Sequence, residues 1–258
     1  MILTVNIGNT HITIAGYEHD TLQFSGRLHS SPAATGDEYA MNLLNLLSLY
    51  QVAPERIEGG ILGSVVPALT GRVLDALRMF CSARFLTVGP GLKSGIKLRL
   101  DNPAQLGGEL LCAIVGALQR CTPPCVVVNF DTATTLLAVD STGALVGGSI
   151  LPGPQCSLSA LVRNTAQLPQ VELEARPRRL LGANTADCLH SGIVYGTAAM
   201  LDGMVAQIRA ALGAPDAPVV ATGTLPDSVR TACATDIVYR ETLVLEGLYW
   251  IWKKNTRK

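Results

Sequence analysis

The sequence is short of the features that mark several common function classes. Aromatic residues make up only 5% of its 258 positions, and Lys+Arg and Asp+Glu are both 20. With no net charge and scattered basic residues, no field or basic stripe gathers nucleic acid or an anionic membrane. The one basic cluster, Lys253-Lys254 with Arg257-Lys258, reads as a solvated end. No apolar run reaches the roughly 18 residues of a membrane-crossing helix, and strand patterning starts at the first residues. Neither a transmembrane helix nor a signal peptide is therefore expected. The P-loop Gly-x-x-x-x-Gly-Lys-Ser/Thr, the dinucleotide fingerprint and the Gly-x-Ser-x-Gly elbow are all missing. Histidines number four; His11 falls at a turn, His19 and His29 at surface positions, and His190 early in a helix. The seven cysteines are odd in number, and Cys121 and Cys125 have no second pair or nearby His to complete a zinc site. Buried free thiols in a cytoplasmic protein are the expectation.

What is present is a pattern that occurs twice. Val126-Val127-Val128-Asn129-Phe130-Asp131-Thr132-Ala133-Thr134-Thr135-Leu136 is an apolar strand, a polar turn of short side chains and a second strand. Met1 to Ile14 repeats it, with Asn6 where the later copy has Asn129. A glycine-marked step to a third strand follows each copy, Gly16 to Phe24 and Gly143 to Ile150. A duplicated fold with two hairpin turns facing a common cleft explains this economically.

In chain order, three strands are followed by a helix over 38–50, a strand over 59–66, a helix opened by Pro67 and a strand over 84–88. An extended connector precedes a helix over 104–120 that contains Gly107-Gly108, a pair whose cost of roughly 1 kcal/mol per glycine suggests close approach of a backbone or ligand. The second set has strands near 125–130, 134–140 and 144–150, a helix near 155–165 and a long helix from Thr185 to Leu212. Gly192 and Gly196 suggest close packing inside that helix. A strand over 217–222, a helix over 227–234 and a last helix near 242–254 complete the chain. The expected class is α/β, two similar domains with mixed sheets covered by helices, divided as 1–120 and 121–258.

The turns carry the candidate chemistry. Asn6, Gly8, Asn9 and Thr10 in one, and Asp131, Thr132, Thr134 and Thr135 in the other, can offer short side chains and backbone N–H groups to phosphate oxygens. Gly223-Thr224 is a further candidate for holding a nucleotide. Such an arrangement fits phosphoryl transfer, where positioning and electrostatics do most of the catalysis. Among carboxylates, Asp101 reads as a helix cap, Glu109 as a base able to take a proton from an alcohol, and Asp131 as buried or metal-bound.

These stretches together resemble the type III pantothenate kinase family, of the actin, sugar-kinase and Hsc70-like superfamily, with its duplicated ribonuclease H-like fold. Val5 to Thr10 resembles the family's Asp-x-Gly-Asn-Thr motif, Gly63 to Pro67 its Ser-x-Val-Pro segment, and Gly107 to Leu110 its Gly-x-Asp-Arg segment. Val128 to Thr135 resembles Asp-Phe-Gly-Thr-Ala-Thr-Thr. Gly147-Gly148, Pro152-Gly153, Asn184-Thr185, Tyr195-Gly196, Asp202-Gly203, Ala221 to Gly223 and Glu246 to Leu248 continue the match in order. The resemblance implies transfer of the ATP γ-phosphoryl group to pantothenate, Mg²⁺, a monovalent cation (K⁺ or NH₄⁺) and a homodimer. It places Asn6, Gly8, Asn9, Thr10 and Thr132 toward ATP, and Gly107, Gly108, Leu110 and Thr185 toward pantothenate. Glu109 takes the place of the base, and Asn129 that of the monovalent-cation ligand.

The departures fall on the charged positions. Asn6 and Asn129 replace Asp, Glu109 replaces Asp, Leu110 replaces Arg and Asp131 replaces Gly. Asn brings no negative charge to a cation, and Leu110 cannot make the charge-assisted pair of an Arg. Asp131 can return one carboxylate from a shifted position. The alternatives to a working pantothenate kinase are a kinase of another small alcohol, or an impaired or inactive paralogue with a binding, scaffold or regulatory role.

Overall fold

In the computed structural model, residues 1–256 are described. Three antiparallel strands, β1 (Ile2–Ile7), β2 (His11–Glu18) and β3 (Thr21–His29), open the chain. Then come α1 (Gly36–Leu49), β4 (Gly59–Ser64), α2 (Pro67–Phe80), β5 (Arg84–Thr87) and α3 (Gly108–Ala117). The same order begins again with β6 (Cys125–Phe130), β7 (Ala133–Val139), β8 (Leu145–Pro152) and α4 (Pro154–Asn164). It continues through α5 (Thr185–Ala211), β9 (Val219–Gly223), α6 (Asp227–Ala232), β10 (Ile237–Tyr239) and α7 (Leu243–Thr256).

Each half builds a five-stranded mixed sheet, β3-β2-β1-β4-β5 and β8-β7-β6-β9-β10. In both, the central strand pairs antiparallel with the next strand and parallel with the fourth. Two compact units result, residues 1–96, 102–119 and 242–256, and residues 97–101 and 120–241. The sequence division at 120/121 leaves α7 in the second unit; the structure corrects this, because α7 packs on α3, β1 and β4 of the first. The α3–α7 contact is close for a readable reason. A Cβ on Gly247 would lie 1.8 Å from the Cys112 carbonyl oxygen, and one on Gly116 would lie 2.3 Å from that of Leu243.

In the first unit, Leu3, Val5 and Ile7 of β1 and Ile12 and Ile14 of β2 point into a core with Leu43 and Leu47 of α1 and Leu69, Val73 and Leu77 of α2. Each such burial is worth about 1.5–3 kcal/mol. Strand alternation places Thr4 and Asn6 on the opposite face, the one α7 covers. In the second unit, Val126, Val128, Phe130 and Leu136 pack on Leu201 and Val205 of α5. Leu158, Leu189, Val194 and Val229 tie α4, α5 and α6 together.

Several local expectations change. Gly107 is the N-cap residue of α3 rather than an interior position, and Pro103–Gln105 is a separate 3-10 turn. Glycine is tolerated at an N-cap, so the pair costs less than inside a helix. Asp101 caps nothing and is exposed. Gly192 and Gly196 have open space around them instead of close neighbours. The three-residue edge strand β10 is too short for a periodic signal. Of the seven cysteines, all free, three are buried, and Cys188 is exposed. Arg257 and Lys258 of the expected solvated tail lie outside the described residues. Lys253 is not solvated: it is 8% exposed, its Nζ 2.5 Å from Asp20 Oδ1 and 4.4 Å from the Trp250 ring centroid. A carboxylate and a π face together receive the ammonium. Among the described residues no helix is long and apolar enough to cross a membrane.

Candidate active site

The first turn joins β1 to β2. Gly8 donates its N–H to the His11 carbonyl at 2.9 Å, which closes the turn and leaves Asn9 and Thr10 exposed. A Cβ on Gly8 would sit 3.1 Å from that same carbonyl. Ser30 donates its N–H to the Thr10 carbonyl, tying the turn to the end of β3. Asn6, just before the turn, is buried, and its Oδ1 has no hydrogen-bond partner. An unsatisfied buried carbonyl costs about 1–3 kcal/mol, so this oxygen is open to a water, a cation or another donor.

The second turn joins β6 to β7 with the same plan. Asp131 donates its N–H to the Ala133 carbonyl, and Asp131 and Thr132 are exposed. The expectation that Asp131 is buried is therefore corrected: the residue stands on the turn itself. Asn129 is buried opposite Thr135 of β7 and Thr222 of β9, so three polar side chains form one row across the sheet. Thr134 and Thr135 are also buried, in β7 rather than on the turn, and neither hydroxyl has a hydrogen-bond partner. They are not available to a phosphate arriving at the turn from solvent.

Two glycines shape this second turn. Gly223, at the end of β9, has φ +92°, and a Cβ there would fall 1.9 Å from the Phe130 carbonyl oxygen. Only glycine meets both conditions. Gly153 donates to the Thr132 carbonyl, and its Cβ would meet the Asp131 carbonyl at 2.1 Å. Sequence reasoning did not single out Gly153 as a turn support; its signal is the Pro152-Gly153-Pro154 stretch.

Glu109 stands in the first turn of α3, half-buried, where the helix dipole favours a carboxylate. Burial pushes the Cys112 thiol well above the usual range, and the Glu109 charge adds to it. Gly107 is open on its Cβ side, while Gly108 lies against Val88, and Leu110 is half-buried. Thr185 is the exposed first residue of α5, whose N-cap Asn184 accepts the Asp187 N–H at 2.9 Å. The structure thus gathers Asn6 with Gly8–Thr10, and Asn129 with Asp131, Thr132 and Gly223. One buried acid escaped sequence reasoning as a site residue: Glu246 of α7, 6% exposed, which accepts the Thr242 hydroxyl. Among the described residues no three His, Cys, Asp or Glu side chains converge to hold a metal ion.

Comparison with known proteins fits this geometry. The type III pantothenate kinase family profile matches residues 2–207. A type III pantothenate kinase of Halalkalibacterium halodurans is 34% identical over 255 residues, covering 99% of this chain and 100% of the relative. One from Anaeromyxobacter dehalogenans is 35% identical with the same coverage. Component A of the (R)-2-hydroxyglutaryl-CoA dehydratase of Acidaminococcus fermentans is only 12% identical but superimposes over 99% of each chain with a TM-score of 0.56. The fold is the duplicated ribonuclease H-like fold of actin-like ATPases and sugar kinases. With a profile match over most of its length and full-length relatives at a third identity, the chain belongs to the type III pantothenate kinase family.

Proposed function

We propose that this protein transfers the γ-phosphoryl group of ATP to pantothenate, giving 4′-phosphopantothenate, the first step toward coenzyme A. The observation that carries the reading is the pair of equivalent polar turns, each preceded by a buried Asn at the same register of its sheet. Asn6, Gly8, Asn9, Thr10, Thr132 and Gly223 are the residues assigned to ATP. Gly107, Gly108, Leu110 and Thr185 contact pantothenate. Glu109 takes the proton of the acceptor hydroxyl as its oxygen bonds to Pγ and the Pγ–O bond to ADP breaks.

The donor chemistry suits two kinds of cation. Asp131, an exposed carboxylate on the second turn, fits a Mg²⁺ carried in on the phosphates. Asn129 with the hydroxyl of Thr135 offers neutral oxygens suited to a monovalent cation, K⁺ or NH₄⁺, and the unsatisfied Thr135 hydroxyl supports this. Mg²⁺ supplies charge neutralisation at the phosphate oxygens when bound.

We also read the protein as a cytoplasmic homodimer. Cys188, Gly192, Gly196, Ala199 and Gly203 form an exposed small-residue stripe along α5, next to Leu180 and Leu181, which are 64% and 81% exposed. Such a stripe lets two copies of a helix approach closely. A second reading, a nucleotide-binding protein without turnover, is favoured by Asn6, whose buried amide brings no charge to the site.

The test is ADP release from ATP with Mg²⁺ and K⁺, with and without pantothenate, beside a Glu109→Gln variant. The expected outcome is pantothenate-dependent release that falls about 10²–10⁴-fold in the variant. Nucleotide binding without release under all these conditions would replace the kinase by the second reading.

A further inference from the structure

Beyond the turns, the end of the first sheet brings two of the four histidines together. His11 begins β2 and His29 ends β3, and the two are direct partners in the antiparallel ladder. Which kind of pair they form follows from the adjacent residues. Ser30 donates its N–H to the Thr10 carbonyl, which makes Thr10/Ser30 the hydrogen-bonded pair and His11/His29 the non-hydrogen-bonded one. In that type of pair the Cα atoms are only about 4.5 Å apart and the side chains are at their closest. Both histidines are exposed. Their neighbours Ile12 and Leu28 turn to the core beneath α1 and α2, so alternation puts the two imidazoles on the other face, the one that carries Asn6.

We propose that His11 and His29 form a two-imidazole clip for a borderline divalent cation of the Zn²⁺, Ni²⁺ or Cu²⁺ kind, beside the first turn. Imidazole is a preferred ligand of these ions, while Mg²⁺ prefers oxygen. A β-ladder holds the two rings without the entropy cost of gathering them from flexible loops. The next pair on the same face is Thr13 and Arg27, so no carboxylate joins the two imidazoles as a ligand. The remaining coordination positions are left to water or to an anion. The clip uses none of the residues proposed for Mg²⁺ and K⁺, and the proposal stands whether or not the protein phosphorylates pantothenate.

The test uses the untagged full chain at neutral pH, titrated with Ni²⁺ and followed by calorimetry and by the proton NMR lines of the imidazoles. Saturable one-to-one binding is expected, with two of the four histidine signals broadening together. His11→Thr and His29→Thr should each weaken binding about tenfold or more, the loss that disturbing a metal site's ligand shell commonly brings; His19→Asn should leave it unchanged. The NMR arm needs no variant, so a misfolded substitution does not spare the proposal. Sharp His11 and His29 lines at saturating Ni²⁺, or binding that survives both substitutions, would overturn it. So would a response of the pair to orthophosphate alone and none to Ni²⁺, which would assign the face to an anion.

Discussion

The two units are the same plan executed under different constraints. In each, the strand before the polar turn ends with a buried Asn. Asn6 pairs with Thr13 and Gly63, and Asn129 with Thr135 and Thr222. The residue after each Asn accepts a backbone N–H from just beyond the fourth strand: Ile7 from Val65, Phe130 from Thr224. The differences lie on the fourth strand, opposite the Asn and opposite the residue after it. Beside Asn6 stands Gly63, because Leu248 of α7 takes the space, and a Cβ there would come within 3.2 Å of Leu248 Cδ2. The second unit has Thr222 in that place and adds a hydroxyl to the row. Next in register, the first unit has Ser64, whose hydroxyl accepts the Val66 N–H at 3.1 Å, and the second has Gly223 with φ +92°. The backbone frame is duplicated, and the side chains that fill it are set by what packs against each copy.

That pairing of Ser64 with Gly223 can be broken by exchange. Gly223→Ser must place a Cβ against the Phe130 carbonyl in a left-handed conformation. It should cost about 3 kcal/mol or more, in the upper range for single substitutions. Ser64→Gly loses a local hydrogen bond and some chain stiffness, about 1 kcal/mol. Thermal or urea unfolding of the two variants measures both. Similar small losses would show that the second turn relaxes easily and that the two frames are more alike than their glycines indicate.

The frame was legible because repetition and strand periodicity are properties of the chain itself. Val5-Asn6 and Val128-Asn129 announced the duplication, and Pro67 the start of α2. What stayed hidden depends on partners distant in sequence. The meaning of Gly247 requires knowing that α7 returns to lie on α3, and Gly192 and Gly196 look the same in sequence whether packed or open. Gly8, Asn9, Thr10 and Thr132 were readable as turn residues from their short side chains. The burial of Thr134 and Thr135, and the exposure of Asp131, were not, because hairpin register decides them.

Restoring a carboxylate sharpens the comparison at the Asn pair. In Asn6→Asp an anion enters a buried position whose acceptor atom has no protein donor. Desolvation raises that carboxyl above its unfolded value. Stability is then retained below the unfolded value near 3.9 and lost as pH rises through the raised one. The expected loss at pH 8 relative to pH 4 is about 1–3 kcal/mol, recovered by Mg²⁺ with ATP if the charge meets a cation there. Asn129→Asp has a hydroxyl neighbour on each side, Thr135 and Thr222, and should lose less. Equal losses in melting experiments at the two pH values would show that the two rows solvate a charge equally well.

The smallest effect concerns the helix that follows the third strand of each unit. In the first, Thr35 caps α1: its hydroxyl accepts the Glu38 N–H, and the Glu38 carboxylate accepts the Thr35 N–H at 2.6 Å. In the second, Gly153 precedes α4 with no side-chain cap, and Pro154 opens the helix. Thr35→Ala should therefore cost about 1 kcal/mol at neutral pH, whereas α4 has no such bond to lose. The bond from the Thr35 backbone N–H, with help from its side chain, holds the Glu38 carboxyl below the usual range. A lowered folded-state value means that the Glu38 contribution is present above its unfolded value of 4.5 and lost as pH falls through the lowered one. Unfolding of wild type and Glu38→Gln should accordingly differ at pH 7 and converge in acid. A difference that persists at pH 2 would assign the effect to helix propensity rather than to the reciprocal cap.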